Sequence, residues 1–122
     1  MNKREQVGLA FERKCQRYLM DLCPTDLLHC NCWFHQKHSK RMSPDIYIVR
    51  SDTVLVFECK TKENPTAYEQ LGKYTRLLST LHSRPAYGIQ LVKVAVDPNT
   101  QHISNLRDWL ANPTNDRVVH IV

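Results

Sequence analysis

The sequence predicts an α/β protein with element order α-β-β-β-α-β, followed by a minor helix and strand. Three observations predict it. Residues 4–22 carry apolar side chains at helical spacing. Two runs rich in β-branched and aromatic residues, Ile46-Tyr47-Ile48-Val49 and Val54-Leu55-Val56-Phe57, flank a short polar break and read as a hairpin. A second amphipathic stretch then leads into a long apolar run beginning at Ala86. The 122 residues suffice for one core, so a single domain over 1–122 is expected.

In the first helix Val7, Phe11, Cys15, Tyr18 and Leu22 form the expected apolar stripe, and Pro24 closes the segment. Gly8 suits close approach to another backbone, and Glu12 lies one turn beyond it. Leu27 to His35 is predicted to be a strand. Within and after it, Cys30, Cys32, His35 and His38 are zinc-ligand types. Their spacing is poor for a structural zinc site, because Cys-x-Cys in a strand lacks the turn of a Cys-x-x-Cys knuckle. Cys30 and Cys32 are instead expected to share a strand face and pack in the core. The following loop carries Lys37, Lys40 and Arg41 and is read as a phosphate-contacting loop.

Both faces of the hairpin are apolar except at one end, which places it in the middle of a covered sheet. Lys62-Glu63-Asn64-Pro65 breaks its second strand. Thr66-x-x-Glu69 then forms a capping box for the second helix, with Leu71, Tyr74, Leu78 and Leu81 as its buried stripe up to about His82. Gln70 and Tyr74 lie four apart on one face. Arg84-Pro85 ends that helix. Ala86 to Val96 is the next strand, closed by Asp97-Pro98-Asn99-Thr100. A short helix around Asn105 to Ala111 and a last strand from Arg117 to Val122 complete the chain.

Composition narrows the class. Net charge is +5, and residues 1–62 hold 11 Lys/Arg against 7 Asp/Glu. A basic half-chain suits a phosphate backbone, although charge alone also serves solubility. No apolar run approaches the ~20 residues that span a bilayer, and no secretory signal is visible, so an intracellular, non-membrane protein is expected. Five cysteines without regular spacing argue against a disulfide framework.

The exceptional end of the hairpin is where chemistry concentrates. With Ser51-Asp52 at the tip, Arg50 faces Thr53 and Asp45 lies across from Glu58, about 5 Å away at Cβ. Lys60, two residues on, points to the same face as Glu58. Cys59 points the other way, into the core. Mg²⁺ or Mn²⁺ favours oxygen ligands, typically one or two carboxylates with waters and substrate phosphate. Asp45 and Glu58 supply such carboxylates, and the main-chain carbonyl of Cys59 adds a third oxygen. Lys60 would position or help deprotonate the attacking water, or stabilise the transition state.

Pro44-Asp45 with Glu58-Cys59-Lys60 resembles the signature of the PD-(D/E)XK nuclease superfamily. Glu12, within Gly8-x-x-Phe11-Glu12, is similar to the acidic position of its first core helix, and Gln70-x-x-x-Tyr74 resembles the QxxxY motif of its RecB-like branch. The Glu-Cys-Lys triplet and small size also resemble archaeal-type Holliday-junction resolvases. The resemblance implies a restriction-endonuclease-like core, αβββαβ, with a central mixed sheet flanked by helices. It implies a DNA nuclease acting in repair, recombination or replication, either structure-specific or a RecB-like exonuclease. Glu12 would contact metal or orient its water, and Gln70 would hold substrate or Lys60. Tyr74 would lie with Lys37, Lys40 and Arg41 along the nucleic acid. Symmetric cutting of a junction would require a homodimer. Relatives with an iron–sulfur cluster place three cysteines near the C-terminus, whereas no cysteine follows Cys59 here, so no cluster is expected. The competing readings are a non-catalytic nucleic-acid-binding protein on the same fold and a zinc-stabilised interaction protein.

Overall fold

The computed structural model describes residues 2–34, 42–62, 64–93, 100–114 and 119–121. Helix α1 (Lys3–Leu22) begins at Asn2, whose side chain accepts from the Glu5 amide at 2.8 Å while Glu5 reaches back to the Asn2 amide. This reciprocal capping satisfies two of the donors that a helix start leaves open. Phe11, Cys15 and Leu19 are its buried side chains. Each step of four residues advances the stripe by only about 40° around the helix. Val7 lies about 80° from Cys15 on that wheel and is 46% exposed, so the buried stripe runs through Leu19 rather than Val7.

Strands β1 (Leu28–Cys30), β2 (Ile46–Val49) and β3 (Val54–Lys60) are successive antiparallel neighbours. Helix α2 (Pro65–His82) connects β3 to β4 (Ala86–Val92), which runs parallel to it. Helix α3 (Thr100–Ala111) precedes β5 (Val119–Ile121), parallel to β4. The result is an α/β architecture with a mixed sheet in the order β1-β2-β3-β4-β5. Helices cover both faces. Phe11, Cys15 and Leu19 of α1 and Leu106, Trp109 and Leu110 of α3 pack with Ile46, Ile48, Leu55, Phe57, Ile89 and Leu91. On the other face Leu71 and Leu78 of α2 pack with Tyr47, Val54, Val56 and Ala86. β3, central in the sheet, is buried from Val54 through Glu58.

Several elements differ from the sequence expectation for local physical reasons. The strand expected over Leu27 to His35 is cut to three residues because Asn31 adopts a left-handed conformation, φ 54°, which asparagine tolerates. That turn reverses the alternation of side chains. Cys30 therefore packs with the α1 core and Cys32 with the α2 core, and the two thiols do not share a face. Helix α2 is capped by Asn64, not Thr66: the Asn64 side chain accepts from the Thr66 amide, and Pro65 occupies the first turn, where no amide is needed. Leu81, in its last turn, is 57% exposed, and Ala67 joins the buried stripe instead. The expectation for Gly8 also fails, since a Cβ there would meet nothing within 4 Å. Close approach occurs at Gly88 of β4, where a Cβ would lie 3.1 Å from Leu71 Cδ2 and 3.2 Å from Leu71 Cβ. α3 begins five residues before the expected Asn105, and β4 ends at Val92, the expected strand residues 94–96 lying outside the described residues.

A partly buried charge cluster ties the layers together. Arg50, after β2, donates to Asp26 Oδ2 at 3.0 Å and Oδ1 at 3.4 Å, and to the Leu110 carbonyl of α3 at 2.6 Å. The guanidinium fork thus joins the α1–β1 turn, the hairpin and the end of α3.

Candidate active site

The hairpin register follows the Ser51-Asp52 tip. The Arg50 amide donates to the Thr53 carbonyl at 2.8 Å, and the ladder runs from Val49 opposite Val54 to Ile46 opposite Phe57. One step further, Asp45 meets Glu58, and the Asp45 amide lies 3.5 Å from Glu58 Oε1. The Lys60 ammonium lies 3.7 Å from Glu58 Oε2. The structure therefore brings Asp45, Glu58 and Lys60 together.

Pro44 shapes this end of the ladder. Hydrogen-bonded pairs alternate along an antiparallel ladder. Counting in twos from Arg50 and Thr53 reaches Pro44 opposite Cys59. Proline has no amide hydrogen, so the Cys59 carbonyl is denied its ladder donor. The Cys59 amide is taken by the side chain of Asp45, whose Oδ2 accepts at 2.8 Å. One residue pair thereby anchors a carboxylate and leaves a main-chain oxygen beside it. The Cys59 side chain packs against the α1 core beside Cys15, and that contact together with burial drives its thiol pKa well above the ordinary value. Cys59 thus meets the acids through its backbone amide, with its side chain in the core.

The electrostatics of the site are those of crowded, poorly hydrated carboxylates. Glu58 is 3% exposed, and burial followed by the neighbouring Asp45 charge pushes its pKa up to about 8 against the counter-pull of Lys60. Burial also raises the pKa of Asp45, opposed by the Cys59 amide and Lys60. Glu12, from α1, is raised by burial and then by Asp45, while the Asn31 side chain and Arg13 pull it down. All three acids thus resist ionising together, which is the condition a divalent cation relieves.

Glu12 Oε1 of α1 and Gln70 Oε1 of α2 are buried without a hydrogen-bond partner. Gln70 therefore does not hold Lys60 through its amide oxygen. Tyr74 lies within electrostatic reach of the two acids. Its hydroxyl is raised by burial and by the charges of Glu58 and Asp45, and a backbone hydrogen bond from Ser43 opposes that shift. Lys37, Lys40 and Arg41, and likewise His35 and His38, lie outside the described residues. Among the described residues, no three His, Cys, Asp or Glu side chains close into a ready-made metal cage. The donor set of two carboxylates and a carbonyl suits a hard ion that keeps its waters better than one needing a full protein cage.

Two residues of the site escape a reading of the sequence. Asn31 donates its amide to the Asp45 carbonyl at 3.1 Å and offers its side chain to Glu12. Gln90 of β4 is fully buried and lies next to Glu58 in the ladder. Its side chain accepts from the Asn64 amide at 2.8 Å and donates to the Asn64 carbonyl at 3.2 Å. It thereby fixes the turn that follows Lys60 and starts α2. The available signal was a lone amide inside an otherwise apolar strand. Comparison with protein-family models, curated proteins and solved structures finds no match to this chain. Among the described residues no helix is long and apolar enough to cross a membrane.

Proposed function

We propose that this chain is a Mg²⁺- or Mn²⁺-dependent DNA nuclease with a restriction-endonuclease-like core of the PD-(D/E)XK type. The observation that carries the reading is the buried pairing of Asp45 and Glu58 beside Lys60, with the Cys59 carbonyl released by Pro44. Asp45, Glu58 and that carbonyl would hold the ion, with Glu12 orienting water from the α1 side. When bound, the ion would supply charge to the scissile phosphate and lower the pKa of the attacking water. Asp45 is held for this by the Cys59 amide, so its free oxygen is oriented before substrate arrives. Lys60, 29% exposed at its side chain, reaches from Glu58 toward solvent and would steady the attacking water or the charge building on phosphate. Glu12 Oε1 and Gln70 Oε1, buried without donors, would accept from waters or substrate groups entering the site.

A panel of single-stranded, duplex, flapped and four-way-junction DNA, incubated with Mg²⁺ or Mn²⁺, tests the reading. Metal-dependent cutting of at least one substrate is expected. Asp45→Ala, Glu58→Ala and Lys60→Ala should each reduce the rate by about 100-fold or more while DNA binding persists. Binding without cutting under either metal would favour a non-catalytic nucleic-acid-binding protein. Activity surviving in all three variants would remove the site assignment. Paired cuts in a junction would further require a homodimer, which a solution mass measurement reads directly.

A further inference from the structure

The chain leaving β3 is fastened to β4 at two points. The Lys93 amide donates to the Lys60 carbonyl at 3.1 Å, which pins the last residue of β3. Four residues on, Asn64 is held by the side chain of Gln90, which accepts from its amide at 2.8 Å and donates to its carbonyl at 3.2 Å. Gln90 is the ladder partner of Glu58. A strand continued from Glu58 would carry Asn64 about 20 Å further on, whereas the Gln90 clamp returns it to the level of Glu58. The faces agree. Val54 and Val56 of β3 pack toward α2, so Glu58 and Lys60 alternate onto that side. Ile89 and Leu91 of β4 pack toward α1 and α3, which turns Gln90 to the α2 side as well. Asn64 then starts α2: its side chain accepts from the Thr66 amide at 2.9 Å, and its carbonyl accepts from the Ala67 amide at 3.0 Å.

We propose that Gln90 is a positioning residue for phosphodiester cleavage: by fixing Asn64 level with Glu58, it holds the turn that keeps the Lys60 ammonium at the acids. The inference rests on the nuclease reading of Asp45, Glu58 and Lys60. Lys60 needs such a holder. Its ammonium lies 3.7 Å from Glu58 Oε2 on a long, flexible stem with 29% of the side chain exposed, a contact too loose to fix its own geometry. The chain to either side of it must therefore do so. An apolar side chain would fill the buried space at position 90, as it does at positions 89 and 91. Only an amide offers both a donor and an acceptor to the backbone of one residue.

Two variants test the inference. Gln90→Met keeps the bulk and removes both hydrogen bonds, and Gln90→Asn keeps the amide but is one methylene shorter, so that either variant decides the matter if the other fails to fold. In EDTA, amide hydrogen exchange should quicken at Asn64, Thr66 and Ala67 while the amides of β2 keep their wild-type protection. In Mn²⁺, single-turnover cleavage at saturating protein should slow by about 10- to 100-fold, with DNA affinity changed by less than about twofold. Exchange that quickens equally across the sheet, with a wild-type rate in the folded fraction, overturns the inference, because Gln90 then serves stability alone. A loss carried by DNA affinity, with the saturated rate unchanged, also overturns it. Either result leaves the nuclease reading standing. A wild type that cuts no DNA of the panel overturns both.

Discussion

At the residue scale, Glu58 is the side chain whose state the surroundings most alter. Its folded pKa of about 8 stands above the ordinary value of 4.5, so between those pH values the folded chain binds more protons than the unfolded one. Stability of the metal-free protein must therefore fall as pH rises through that window, and the loss is complete above it. A divalent ion favours the ionised form, so Mg²⁺ should raise the melting temperature more at about pH 8 than at about pH 5. A melting temperature flat across that range, or an equal Mg²⁺ effect at both ends, would contradict the electrostatic account. The pairing of Asp45 with Glu58 was legible from residue counting because the hairpin tip is short and both strands are strongly β-forming. Asn31 and Gln90 were not legible. Asn31 acts through a left-handed backbone, and Gln90 acts through a turn 26 residues away in sequence. Neither leaves a local pattern. Gln90→Leu, which keeps bulk but strands the Asn64 amide and carbonyl, should destabilise by about 1–3 kcal/mol. A melting curve unchanged from wild type would show that the buried amide holds nothing in place.

At the scale of elements, two glycines make opposite predictions. Gly8 lies within α1, partly buried but with open space at its Cβ position, so Gly8→Ala should stabilise by about 0.5–1 kcal/mol. Gly88 lies under α2, where a Cβ alone would already meet Leu71 and Thr75 within 3.3 Å, so Gly88→Val should cost about 1–3 kcal/mol. Chemical denaturation of both variants checks the pair, and a stabilised Gly88→Val would mean that α2 can lift from the sheet. Periodicity located α1, α2, β2 and β3 because each presents one or two well-filled apolar faces. It misassigned the edge of each stripe. Val7 and Leu81 carry the right chemistry but lie to the side of the buried arc, and only the position of the sheet decides which flank is covered. The β1 region failed for a related reason. Its apolar run is continuous, but one left-handed residue turns half of it toward the other core.

At the scale of the molecule, the mixed sheet places a short antiparallel arm on one side of β3 and parallel strands on the other. The acids lie where the antiparallel ladder ends and α1 and α2 approach from opposite faces. Arg50 fastens the far end of that hairpin to α3 and to the α1–β1 turn. The α/β class and the helix–hairpin–helix order were readable from the sequence. The long-range clamp was not, since an arginine after a strand looks like any solvated turn residue. The central claim, that Asp45 and Glu58 hold a divalent ion for phosphodiester cleavage, is tested most directly by the Mn²⁺-dependent cleavage rate of Glu58→Gln. This change preserves shape and removes the anion from a position that is 3% exposed. The account predicts a correctly folded protein whose cleavage rate falls by about 10²–10³-fold. A Glu58→Gln protein that cuts at the wild-type rate would contradict it.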